Sequence, residues 1–145
     1  IRDSSYNSGQ PMQAACLLYN ITGEQQYLNE AQQIARSAHS KWFTLYDSKE
    51  LGEKFYRING DHAWFYSVLF RGFLELYKID GRRDYVTAFE KSMLQAWMSE
   101  CRNQTTNLLS NNYFIGKTNS SWQVLHEGAF VEMLARLAVL ELEGK

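Results

Sequence analysis

Three stretches of this chain set aromatic rings among amides and charged groups: Asp3 to Gln10, Arg57 to Phe65 and Asn111 to Glu127. The first holds Tyr6, Asn7, Gly9 and Gln10. The second holds Arg57, Asn59, Asp61, His62 and Trp64, and the third Asn112, Tyr113, Trp122, Gln123, His126 and Glu127. Sugars ask for this mixture, because their rings offer apolar faces for stacking and hydroxyl edges for hydrogen bonding. Each candidate also has a purely structural reading. Asp61 precedes a helical pattern and suits an N-cap, with pocket contact in addition. Trp64 and Trp122 lie near helix starts, where core packing and ligand stacking are equally served. Glu127 and Arg71 fall inside nearly apolar helical patterns. A charge there needs a partner or a ligand, so Glu127 is the carboxylate candidate, while Arg71 serves a pocket or pairs with a neighbouring helix. Asp80, Asp84, Glu90 and Glu100 read as solvated or capping groups. His62 and His126 are too widely spaced in the chain to suggest a metal. No phosphate-cradling glycine loop, Gly-x-Ser-x-Gly or His-Glu-x-x-His occurs, and neither a cofactor nor a metal is expected.

The elements that would position these residues come as a repeat. Leu18-Tyr19-Asn20-Ile21-Thr22-Gly23 followed by Tyr27 recurs 58 positions on as Leu76-Tyr77-Lys78-Ile79-Asp80-Gly81 followed by Tyr85. Each is the end of one helix, a left-handed glycine and the start of the next. Pro11 suits the first turn of the first helix, which carries Met12, Ala15, Cys16 and Tyr19 on one stripe and Leu17 and Leu18 on another. A second helix, about Glu24 to Lys41, keeps one apolar stripe through Tyr27, Ala31, Ile34, Ala35, Ala38 and Trp42. Periodicity then fails, and Thr44 to Tyr46 and Phe55 to Ile58 read as short strands around a polar turn. The third helix, from an Asp61 cap to about Ile79, is apolar all round. The fourth, about Arg82 to Glu100, has one stripe. Arg102 to Ser121 is a long polar connection, and the last helix, about Trp122 to Glu143, is apolar on most sides.

Buried, surface, buried, surface, buried is the order of an all-α fold of the α/α toroid type, in which inner helices line an axis and outer ones wrap them. At 58 residues per repeat, six pairs need roughly 350 residues. The 145 residues here therefore amount to a single partial domain, about half of an (α/α)6 barrel. Alone, that half would bare more apolar surface than monomers tolerate, so the rest of the same barrel or a second chain is expected against it. With 45% hydrophobic and 14% aromatic residues, a net charge of −1 and no basic stripe, disorder and nucleic-acid binding are disfavoured. No apolar run is long enough to span a membrane. Cys16 and Cys101 read as buried free thiols.

Tyr6-Asn7-Ser8-Gly9, the Leu18-Tyr19 to Gly23 and Tyr27-Leu28 element, and Phe65 through Arg71 to Leu76-Tyr77-Lys78 and Gly81 resemble glycoside hydrolase family 76, the endo-α-1,6-mannanases of bacteria and fungi. The likeness runs over nearly the whole chain, in the order of that family's C-terminal half. It implies an (α/α)6 barrel, a retaining mechanism, an α-mannan or other glycan as partner, and a secreted or cell-envelope enzyme. The motif carries over to Tyr6, Asn7 and Gly9 and the inner-helix arginine to Arg71. The family's catalytic pair is an adjacent Asp-Asp, which this chain lacks, so no catalytic residue is assigned within it. Ser8 stands where the family usually has Gln, and Tyr66 where Lys is common. The expectation is a glycan-subsite half of a mannanase-like hydrolase. A non-catalytic carbohydrate-binding toroid and a sugar-epimerase-like isomerase remain as alternatives.

Overall fold

The computed structural model describes residues 3–110 and 122–144. Five helices and one hairpin follow in order: α1 (Tyr6–Thr22), α2 (Gln25–Trp42), β1 (Phe43–Ser48), β2 (Glu53–Ile58), α3 (Ala63–Asp80), α4 (Asp84–Met98) and α5 (Val124–Glu143). The two predicted turns have the same construction. Gly23 and Gly81 sit at φ 72° and 70°, and their N–H groups donate to Tyr19 O and Tyr77 O, each at 2.8 Å. Only glycine enters that region freely, which is why the reversal is written the same way twice.

Successive helices reverse direction, so α1, α3 and α5 start at one common end. They pack side by side in the order α1–α3–α5, while α2 and α4 lie outside them. This is the partial α/α toroid anticipated from the alternating pattern. The α1–α3 contact is a backbone crossing at two glycines. A Cβ on Gly9 would lie 2.5 Å from Val68 O and 2.6 Å from Leu69 Cα, and one on Gly72 would lie 2.8 Å from Gly9 O.

The hairpin was the least patterned stretch, yet it forms an antiparallel ladder from Phe43↔Ile58 to Ser48↔Glu53. It packs against both outer helices. Phe43 and Ile58 enter the core, Ile58 N–H donates to Ser92 Oγ at 3.0 Å, and Ser48 Oγ bonds to Gln95 Oε1. Both cysteines are free and buried, and burial pushes the Cys16 thiol up to about 12.

Three expectations are corrected. The first helix begins at Tyr6, so Pro11 lies inside it rather than in its first turn. Pro11 and Asn7 are both exposed, so the Asn7 carbonyl that proline leaves without its helical N–H lies where solvent can satisfy it. Secondly, α3 is not buried all round: Trp64, Val68, Arg71 and Glu75 form a half-buried stripe that ends at exposed Lys78. Thirdly, α5 buries only His126, Ala129, Phe130, Met133 and Leu137, and leaves Val124, Val131 and Leu142 at 90%, 66% and 71% exposure. The bare apolar flank foreseen for an unclosed ring is there. Among the described residues no helix is long and apolar enough to cross a membrane.

Candidate functional site

The common end of α1, α3 and α5 carries a continuous series of rings. Tyr6 stacks on Trp64 with centroids 6.1 Å apart and planes 11° apart, and also tilts against Phe65 at 4.8 Å. Phe65 meets the edge of His62 at 5.0 Å, and His62 stacks on His126 at 5.2 Å and 8°. Residues from three helices thus form one aromatic rim. Trp64 also opens a groove of about 490 Å³ between α3 and α5, shared with Ser67, Val68, Arg71, Val124, Leu125, Gly128, Ala129 and Glu132. Tyr6 and Trp64 are both half-buried, and aromatic surface of this kind is what a sugar ring stacks on.

Deeper along the groove, Arg71 grips Glu132 with two parallel bonds, Nε to Oε1 at 2.6 Å and Nη2 to Oε2 at 2.7 Å. Arg136, one turn further along α5, donates to the same Oε1 at 2.9 Å. Hydrogen bonding from Arg71 holds the Glu132 carboxyl below the usual carboxylate range, against the opposing effect of burial. The triad leaves one cationic group in excess on the wall. Arg71 thus both lines the groove and pairs with an inner helix. Glu132 was missed because nothing at Arg71 points 61 positions ahead, although the Glu-x-x-x-Arg spacing of 132 and 136 was visible.

Other candidates fall elsewhere. Gly9 is buried at the helix crossing and Asn7 lines a different groove, between α1 and α2, with Glu30, Gln33 and Lys41. Asp61 is 3% exposed and is not the N-cap of α3, since His62 holds that position and makes no side-chain capping bond. Its Oδ2 instead accepts the Ser5 N–H of α1 at 2.8 Å. Arg57 lies over the Tyr46 ring on the hairpin, 3.7 Å from its centroid. Glu127 turns towards the segment after α4: Oε2 accepts the Leu109 N–H at 3.3 Å, Oε1 has no hydrogen-bond partner among the described residues, and burial raises its pKa. Trp122 is half-buried at the entry to α5, its indole N–H without an acceptor among the described residues. Asn112 and Tyr113 lie outside the described residues. Among the described residues no group of three or more His, Cys, Asp or Glu is placed to hold a metal.

The two histidines, 64 positions apart in the chain, are brought together by the packing of α3 against α5. Burial, then the neighbouring His62, lowers the pKa of His126 from its ordinary value of 6.5. His39, enclosed by Phe43, Tyr56 and Tyr85, is lowered by burial, with Arg82 adding to that and Asp84 opposing it. A folded-state pKa below the unfolded one favours the neutral form. This stability is complete above about pH 6.5 and is lost as pH falls from there through the depressed values. The unfolding midpoint should therefore drop between neutrality and mild acid, and drop less in a His39→Gln/His126→Gln double variant. Equal slopes for the two proteins would contradict this assignment.

The family model for glycosyl hydrolase family 76 matches residues 2–144 of this partial α/α toroid: the chain belongs to that family. It is 54% identical to a solved family 76 glycoside hydrolase (mannosidase), Bt3792 from Bacteroides thetaiotaomicron VPI-5482, with a TM-score of 0.94 over 99% of this chain and 38% of that one. It is 41% identical to a family 76 glycoside hydrolase from a bovine Bacteroides thetaiotaomicron strain, with a TM-score of 0.92 over 97% of this chain and 30% of that one. The chain therefore spans well under half the length of either. Among proteins with curated descriptions, none matches.

Proposed function

We propose that these residues form the glycan-subsite part of a retaining, mannosidase-type glycoside hydrolase acting on α-1,6-mannan outside the cell or at its envelope. The carboxylate pair is supplied by the rest of the full-length protein, whose helices also cover the apolar flank of α5. The observation that carries this reading is the Tyr6–Trp64 stack at the mouth of the α3–α5 groove. Within the described residues, the carboxylates nearest that groove do not form a free pair: Asp61 is buried, Glu132 is held by two arginines and Glu127 turns away. Retention requires two carboxyl groups roughly 5–5.5 Å apart across the scissile bond, one as nucleophile and one as acid and then base.

The test uses the full-length protein and α-1,6-mannooligosaccharides. Release of a product with retained anomeric configuration supports the reading. Trp64→Ala should then lower kcat/KM by roughly tenfold to a hundredfold, the equivalent of about 1.5–3 kcal/mol for a ring that loses its cover. Absence of both cleavage and binding would overturn it. The missing Asp-Asp favours one second reading, a glycan-binding toroid without catalysis. Oligosaccharide binding without bond cleavage by the full-length protein would decide for that one.

A further inference from the structure

We propose that Asp61 is a positioning residue that sets Tyr6 against Trp64, fixing the ring platform from beneath without touching the glycan. The assignment rests on the proposed glycan reading for its functional meaning and on geometry alone for the platform. One carboxylate joins the starts of two helices. Oδ2 accepts the N–H of Ser5, the residue immediately before Tyr6, at 2.8 Å, and Oδ1 accepts the N–H of His62, two residues before Trp64, at 2.9 Å. Ser5 is the N-cap of α1 and is fully buried, yet its own side chain makes no capping bond. The cap of α1 therefore comes from 56 residues away, at the entry to α3. A carboxylate suits this place, since the first turn of a helix presents unpaired N–H groups and a positive dipole end.

The consequence is a fixed offset between two ring-bearing turns. The side chain directly after Ser5 is Tyr6, whose ring lies 11° from the plane of Trp64. Slippage of the α1 start relative to α3 would separate those rings before it disturbed the core below, where Gly9 and Gly72 cross. An alanine at 61 accepts neither N–H, so the Ser5 bond, the one of the two that spans α1 and α3, is lost.

Two variants of the full-length protein test this. Asp61→Ala breaks the tether from the carboxylate side by removing both acceptor oxygens. Ser5→Pro removes the N–H donor, together with the Ser5 hydroxyl, at a position whose φ of −60° proline already favours. Near-UV circular dichroism, read as the difference between each protein and its Trp64→Phe counterpart, isolates the platform. That difference signal should be lost in both variants. In mannooligosaccharide titrations each variant should bind about tenfold more weakly, but neither should weaken binding further in a Trp64→Ala background. A merely structural role would give additive losses of affinity and an unchanged difference signal, and either result overturns the proposal. If Trp64→Ala leaves binding unaltered, the glycan reading of the platform fails by itself. The dichroism still decides whether Asp61 sets the rings.

Discussion

Gly9→Ala is expected to cost about 3 kcal/mol of folding stability, near the upper end of what one inserted methyl group does to a packed interior. The size follows from what the methyl would strike. Val68 O and Leu69 Cα lie 2.5 and 2.6 Å from its ideal position, and both belong to the α3 backbone. A flexible side chain can swing away, but a helix can yield only as a unit. At Gly72 one neighbour is the soft end of Met12, at 3.2 Å, so part of the strain there can relax. Gly81 supplies the contrast. A Cβ there meets nothing within 4 Å, and the cost of Gly81→Ala is the left-handed backbone alone, about 1–2 kcal/mol. Chemical denaturation of the full-length protein carrying each substitution orders them. A Gly9 variant no less stable than the Gly81 one would mean that α1 and α3 do not cross at this point. Because α1 must move outward to admit the methyl group, Tyr6 should also leave Trp64, and the same variant should bind oligosaccharide more weakly.

That residue also shows how much a sequence discloses. The toroid was legible because its evidence is local and repeated: a glycine with positive φ follows both α1 and α3, and apolar periodicity distinguishes helices that face one neighbour from those that face several. Gly9 was legible as important but not for its reason. Within Tyr6-Asn7-Ser8-Gly9 it reads as part of a sugar-binding motif, whereas its place is set by a backbone on another helix. Asp61 illustrates the same limit. An aspartate before an apolar helix signals a cap, and it is one, for a helix that begins 55 residues earlier. The stacked pair His62 and His126 and the grip of Arg71 on Glu132 depend on which helix lies beside which. No local pattern contains that information until the ring order is known. The placement of Tyr6 and Trp64 at the starts of inner helices was recoverable from the pattern. Their mutual stacking was not.

Phe89→Ala is expected to be the second severe substitution, at about 4 kcal/mol, with Phe89→Leu costing about 1 kcal/mol. The Phe89 ring is fully buried on α4 and meets Phe70, Phe43, Phe73 and Tyr66 at centroid distances of 4.7, 5.2, 5.9 and 6.3 Å. It thereby joins the outer helix, the hairpin and the inner helix α3 at one point, and its removal leaves a cavity lined by rings too large to collapse into it. The hairpin has a second attachment, through Ser92 to the Ile58 N–H and Gln95 to Ser48. Hydrogen exchange separates the two. If Phe89 is what fastens β1 and β2 to α4, the Ile58 amide should lose protection in Phe89→Ala by more than the global loss of stability accounts for. If the polar bonds suffice, that amide should exchange only as fast as the whole fold opens. The first result would make the hairpin an aromatic graft on the outer wall, and the second would make it an extension of α4's polar face.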